Sequence, residues 1–146
     1  MGNYVQNNLI AGEQIVYQTK VHLIVFVSPS LVVIAGIVFG ILGMPYPGAI
    51  FLGLGVVMFL IAWVRQWSSE FAVTNKRVII KVGFISRRTI EINMSKVESV
   101  EINQDIFGRL LNYGTIIVIG TGGTKEPFAL IDDPLAFRRA VQAQQG

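Results

Sequence analysis

Few side chains in this sequence could do covalent or acid–base chemistry, and their spacing decides against it. There is no cysteine and a single histidine, His22, so thiol nucleophiles, cysteine metal sites and disulfides are excluded. The run Gly120-Thr121-Gly122-Gly123-Thr124-Lys125 looks at first like a phosphate loop. It has neither P-loop nor dinucleotide spacing, because Lys125 stands where the third glycine of the latter belongs. Both motifs also need a helix to follow, whereas a strand–turn–strand context reads as a hairpin turn. Asp132 and Asp133 could pair as carboxylates, but with Pro134 next they suit the cap and first position of a helix better. His22, alone at the edge of an apolar run, reads as an interfacial side chain and not as a ligand. The residues therefore point away from an enzyme and call for no cofactor, metal or small-molecule substrate.

Binding chemistry is better represented. Residues 65–96 carry seven basic side chains against Glu70 and Glu91, a net charge of +5, while residues 97–133 carry a net charge of −4. A basic block beside a membrane suits an anionic leaflet, where each basic residue contributes about 1 kcal/mol. Lys76, Arg77, Lys81, Arg87 and Arg88 are the candidates for lipid head-group contact. Their replacement by glutamine is expected to weaken lipid binding without unfolding the domain. The competing reading makes them solvated strand faces, and Arg87 and Arg88 must point to opposite faces of any strand that holds both. The acidic block and exposed strand edges would serve a protein partner or a second copy. Nucleic acid is a poor partner, since the domain's net charge is small and its aromatic residues are not interleaved with the basic ones.

The elements that position these charges begin with the membrane. From Val21 to Val64, 44 positions hold no Asp, Glu, Lys or Arg, enough for two spanning helices of about 20 residues each. Gly43-Met44-Pro45-Tyr46-Pro47-Gly48 interrupts the run and predicts a turn over 43–48. A hairpin follows, with helices over roughly His22–Leu42 and Ala49–Trp67. Lys20 and Arg65 flank it and the turn has no charge, so the positive-inside rule places both chain ends in the cytoplasm. A cleavable signal is not expected, because the first 19 residues are polar and mixed and no small-residue cleavage site is present. The small-residue pairs Gly36 and Gly40, and Ala49 and Gly53, would let helices approach closely, either within the hairpin or between copies. No charge lies mid-span, which argues against an ion or proton path.

Around the hairpin the pattern changes to short strands. Residues 1–20 begin loosely at Gly2, Asn3, Asn7 and Asn8 and end in a short strand over 15–19, able to pair with the rest of the cytoplasmic domain. Glu70–Thr74, Arg77–Val82, Phe84–Asn93, Lys96–Asn103, Thr115–Gly120 and Lys125–Ile131 read as strands by alternation and β-branched content. Asp105–Leu111 reads as a short helical turn closed by Asn112-Tyr113-Gly114. A C-terminal helix over 134–144 has Leu135, Phe137, Ala140 and Val141 for its apolar contacts. This order describes a small barrel or sandwich plugged at one end by a helix.

Phe71-Ala72-Val73-Thr74-Asn75-Lys76-Arg77-Val78-Ile79 and Lys81-Val82-Gly83 resemble the signature of the bacterial pleckstrin-homology-like family, often described as the membrane-flanked domain. Gly108-Arg109-Leu110-Leu111-Asn112-Tyr113-Gly114, Thr121-Gly122-Gly123, Pro127-Phe128 and Asp132-Asp133-Pro134 do the same. So do Gly12-Glu13 and Thr19-Lys20-Val21-His22 ahead of the hairpin. The resemblance implies a pleckstrin-homology fold, a bent antiparallel barrel closed by a C-terminal helix. It supplies no phosphoinositide motif that maps onto these residues. The chain is thus expected to be an α+β inner-membrane protein with three parts: an N-terminal segment (1–20), a hairpin (21–67) and a cytoplasmic domain (68–146). Its expected role is a membrane-anchored binding or scaffold module, with assembly of a membrane complex as the alternative.

Overall fold

The computed structural model describes residues 3–146; Gly2, one of the residues expected to be loose, lies outside them. Two antiparallel sheets form the folded domain. The first contains β1 (Ile15–Thr19), β2 (Glu70–Thr74), β3 (Arg77–Val82) and β4 (Arg88–Asn93), adjacent in that order. The second contains β5 (Val97–Asn103), β6 (Tyr113–Gly120) and β7 (Lys125–Asp132). Of the small barrel or sandwich expected, the structure shows two antiparallel ladders, with an isolated antiparallel bridge from Val21, just after β1, to Ile131 of β7. Their inner faces share one core, in which Phe71 of β2 meets Phe128 of β7 edge-on at 5.7 Å.

The N-terminal segment is an integral part of the first sheet. β1 pairs with β2 from Thr19 opposite Phe71 to Ile15 opposite Thr74, so the sheet takes strands from both sides of the apolar helices. Residues Tyr4–Asn7 form a one-turn helix, α1, in place of the loose chain expected there. Its Val5 is fully buried against Ala72 and Ile79 on the outer face of the sheet. With both faces covered, all five residues of β2 are buried. The C-terminal helix α5 (Pro134–Gln145) packs against β1, β2, β5 and β6 and drives Phe137 and Val141 into the shared core.

Two expected strands begin later than predicted. Phe84–Arg87 is a loop and β4 starts at Arg88. Gly83 sits at φ +89, and a Cβ there would lie 2.2 Å from the Ser86 carbonyl oxygen, so the chain turns too tightly for a ladder to continue. Met94–Lys96 forms a 3-10 turn before β5. A register shift between Val97 and Ser99 lets Val97 turn inward although strict alternation sets it opposite Val100 and Ile102.

The apolar run forms a 3-10 turn at Leu23–Phe26, then α2 (Val27–Ile41) and α3 (Pro45–Ser68). Helix three starts at Pro45, four residues earlier than the composition suggests, because prolines in a first turn forgo amide bonds that have no helical partner anyway. These are two helices long and apolar enough to cross a membrane. They pack along their length through small residues, but not all of the expected ones. A Cβ on Gly36 would fall 2.8 Å from the Leu52 amide, and one on Gly55 3.0 Å from that of Val33. Gly48 approaches both Gly36 and Gly40. Ala49 and Gly53 are exposed, and a Cβ on Gly53 would touch nothing within 4 Å. Gly36→Val should therefore lower stability in detergent by about 1–3 kcal/mol, as overpacking does, while Gly53→Val should stay within about 0.5 kcal/mol. Chemical unfolding of the two variants side by side checks this difference.

Register gives the domain two distinct ends. Thr19, Glu70, Val82 and Arg88 lie where the chain leaves and re-enters the apolar helices; Ile15, Thr74, Arg77 and Asn93 lie at the opposite end. In the second sheet Tyr113 and Asp132 pair at the helix end, tied to it by the Asp132 amide donating to the Lys20 carbonyl at 3.0 Å. Five residue steps along β3, roughly 17 Å at strand rise, separate the ends.

Candidate functional site

The five basic residues singled out from the sequence are divided between these ends. Lys76 and Arg77 sit at the remote end, by the turn that joins β2 to β3. Lys76 Nζ donates to the Ala11 carbonyl at 2.7 Å. The Arg77 guanidinium donates to Glu13 Oε1 at 2.9 Å, to Glu91 and to the Asn8 carbonyl. Lys81, largely buried, lies 4.0 Å from Glu70 and over the Tyr4 ring. Each of these three cations holds the N-terminal segment against the sheet. Arg87 and Arg88 lie at the helix end. Arg88 pairs with Glu126 at 2.7 Å, and Arg87 is exposed in the loop before β4 with no ion pair among the described residues.

Two acids that the sequence reading left without a role complete the clamp at the N-terminal segment. Glu13 is buried and accepts hydrogen bonds from Arg77, from Thr74 Oγ1 at 2.7 Å and from the Ile10 amide at 2.8 Å. Burial pushes its carboxyl up. Bonds from Arg77, the Ile10 amide and Thr74 together outweigh that and hold it below the ordinary glutamate range. Glu70, also buried, accepts from the amides of Tyr4 and Val5 at 3.3 and 3.2 Å, which fixes α1 on the sheet. The sequence signal for this clamp is the pair Gly12-Glu13, which belongs to the family pattern.

The helix end holds a groove of about 650 Å³. One wall is the last turns of α3, from Leu60 to Arg65; the other is Phe71, Phe128 and the loop residues Phe84 and Ile85. Trp67 meets Phe84 at 5.9 Å between ring centroids, which fixes the loop beside the helix. Arg65 and Arg88 stand among the lining residues. An apolar trough with two guanidinium groups suits an amphiphile with an anionic head, since arginine forks onto phosphate or carboxylate oxygens.

On the other side of this end, His22 begins the first apolar helix. Its Nδ1 accepts from the Ile24 amide at 3.0 Å, and its ring stacks against Tyr113 at 5.4 Å. The His22 amide donates to the Leu130 carbonyl at 2.7 Å. Leu130 holds a left-handed φ of +61 within β7, a conformation that a branched side chain adopts only under tertiary constraint, and here it accompanies a carbonyl turned toward the incoming helix. His22 thus acts as cap and packing residue. Among the described residues no group of acidic, histidine or cysteine side chains is disposed to hold a metal ion.

Residues 22–145 match the family model described as the bacterial PH domain. No curated protein and no solved structure matches the chain.

Proposed function

This chain belongs to the bacterial PH domain family, and from that premise we propose a non-catalytic binding module anchored in the inner membrane by its two apolar helices. The folded domain then lies at the cytoplasmic face, and anionic lipid head groups are the ligands of the groove beside α3. The observation that carries this reading is the groove itself. Its apolar wall is continuous with the outward surface of α3, and Arg65 and Arg88 stand at the same end.

The apolar helices support the anchoring. Spans of 19 and 24 residues leave only 11% and 17% of their most apolar windows buried. A core helix of a water-soluble fold is covered by its neighbours; here the apolar surface faces outward and calls for a hydrocarbon solvent. Lys20 and Arg65 at the domain end and an uncharged connection at 43–44 favour the domain on the cytoplasmic side. Of the five basic residues first considered, Arg87 and Arg88 are the ones whose position favours head-group contact, and Arg65 joins them. Lys76, Arg77 and Lys81 serve this role less well, because the first two lie at the remote end and Lys81 is largely buried beside Glu70, whereas Arg88, though paired with Glu126, keeps its side chain 62% exposed.

The test uses the full chain. Purified in detergent, it should retain phosphatidylglycerol over phosphatidylcholine in native mass spectrometry at low salt. Arg65→Gln and Arg88→Gln should each cut that retention about fivefold, as follows from about 1 kcal/mol per basic residue near an anionic surface. Equal retention of the neutral lipid would remove the lipid ligand and favour the assembly role, in which the domain binds protein. Release of the chain from cell membranes by an alkaline wash would overturn the anchoring itself.

A further inference from the structure

The helix α4 (Ile106–Leu111) carries apolar side chains that the fold leaves uncovered. Ile106, Phe107, Leu110 and Leu111 are 76%, 66%, 75% and 48% exposed. At positions i, i+1, i+4 and i+5 they occupy one face of the helix. The opposite face is set by Gly108, the sole buried residue of α4. A Cβ there would lie 2.6 Å from the Tyr113 carbonyl oxygen, so the backbone sits flush on the domain and the four large side chains turn outward. Asp105 caps the start by accepting the Gly108 amide at 2.6 Å, and Asn112 ends the helix at φ +60. The apolar face is thus held rigidly in place.

Its location points to what covers it. The residue after the C-cap is Tyr113, whose ring lies on His22 at the start of the first apolar helix. At the other side of the same end, Ile85 is 97% exposed at the tip of the β3–β4 loop, next to Phe84 and the end of α3. Outside the hairpin of residues 23–68, nine large apolar residues are exposed among the described residues. Seven of them are at this end: the two in the loop, the four on α4, and Leu135 beside the Asp133 cap. Only Ile10 and Val16 lie elsewhere. A patch reserved for a cytosolic partner has no reason to be split between the two points where the chain meets the apolar helices. A bilayer surface touches both at once.

We infer that α4 and the β3–β4 loop are two apolar contacts that seat in the interfacial zone of the bilayer, one beside the start of the first apolar helix and one beside the end of the second. The inference rests on the membrane reading above and extends it: the domain is oriented on the membrane and does not swing on a tether. Interfacial helices bury their apolar face about 5–10 Å into the head-group boundary. Arg109, exposed off that face, carries a head able to reach phosphates while its stem lies on apolar surface. Apolar burial drives this seating, so it persists at high salt, where head-group contact by Arg65 and Arg88 fades.

The absence of cysteine permits a direct test on the full chain in phosphatidylcholine nanodiscs. Single variants Leu110→Cys, Ile85→Cys, Leu31→Cys and Thr121→Cys are labelled with a nitroxide. Collision with oxygen and with a water-soluble nickel complex is then compared at low and high salt. Leu110 and Ile85 should read as lipid-exposed at interfacial depth at both salt levels, Leu31 as deep in hydrocarbon, and Thr121 as aqueous. Aqueous readings at Leu110 and Ile85 with Leu31 deep would overturn the seating and leave the anchoring intact. Immobilised labels at Leu110 shielded from both reagents would assign the patch to protein contact and overturn it equally. An aqueous Leu31 would remove the anchoring and the seating together.

Discussion

Phe137→Ala is expected to cost the domain about 3–5 kcal/mol, the range for deleting a fully buried aromatic side chain. Phe137 is fully buried in the core shared by the two sheets. It meets the Tyr17 ring edge-on at 6.5 Å, so a single side chain joins α5 to the strand that precedes the apolar helices. The sheets are separate ladders, hydrogen-bonded to each other at the corner where Lys20–His22 meets Leu130–Asp132, and the rest of their inner faces needs another hold. Apolar packing and α5 do that work, and a cavity at position 137 opens the seam between them. Leu135→Ala is the matched comparison. It removes only half as many carbon atoms from the same helix, and Leu135 is 39% exposed, so its cost should stay below about 1 kcal/mol. Urea unfolding of both variants in the same detergent separates the two cases. A cost below about 1 kcal/mol for Phe137→Ala would mean that α5 does not close the core.

Much of this architecture was legible because it rests on short-range signals. Alternation in β2 and β3, the acidic cap before Pro134 and the β-branched run of β6 each announce an element locally. The loop after Gly83 was not legible as a loop, since Phe84 to Asn93 alternates well enough to pass for a strand. What overrides the alternation is a glycine in the left-handed region with no room for a Cβ. By composition the prolines at 45 and 47 read as helix breakers. Whether a proline ends a helix or starts one depends on which side of it the helix lies, and composition is silent on that. The basic residues were the hardest to place. Lys76, Arg77 and Lys81 look the same in sequence as Arg87 and Arg88. Only the register, and the return of residues 4–13 to the sheet, reveals that Lys76 and Arg77 meet acceptors of the chain's own N-terminal segment, while Lys81 lies beside Glu70 and over the Tyr4 ring. Position in space, not charge, divides the cations that hold the fold together from Arg87 and Arg88, which stay exposed, Arg88 even while paired with Glu126.

Removing one partner of the Glu13–Arg77 pair is the second large expected effect, again about 3–5 kcal/mol. The Glu13 side chain is 0% exposed and that of Arg77 12% exposed, so either truncation leaves a desolvated charge behind. Arg77→Gln should accordingly destabilise the chain, contrary to what an exposed lipid-contact residue would do. Glu13→Ala should act in addition through the segment it anchors. The Ile10 amide loses its acceptor and the Thr74 hydroxyl keeps only the Arg77 carbonyl, and amide exchange in β1 and α1 should rise before the rest of the sheet is affected. The double variant should cost less than the two single costs combined, because the second truncation removes the charge that the first left unpaired. The pH dependence carries the sign. Glu13 is held below its ordinary range, so its contribution is fully present above the unfolded glutamate value of about 4.3. It is lost as pH falls through the lower folded value. The stability gap between the native chain and Glu13→Ala should therefore be constant from pH 7 to pH 5 and narrow on further acidification. A gap that widens with acid would mean that burial, and not the Arg77 bond, sets the state of this carboxyl. The clamp would then have to be credited to the backbone pairing of β1 with β2 alone.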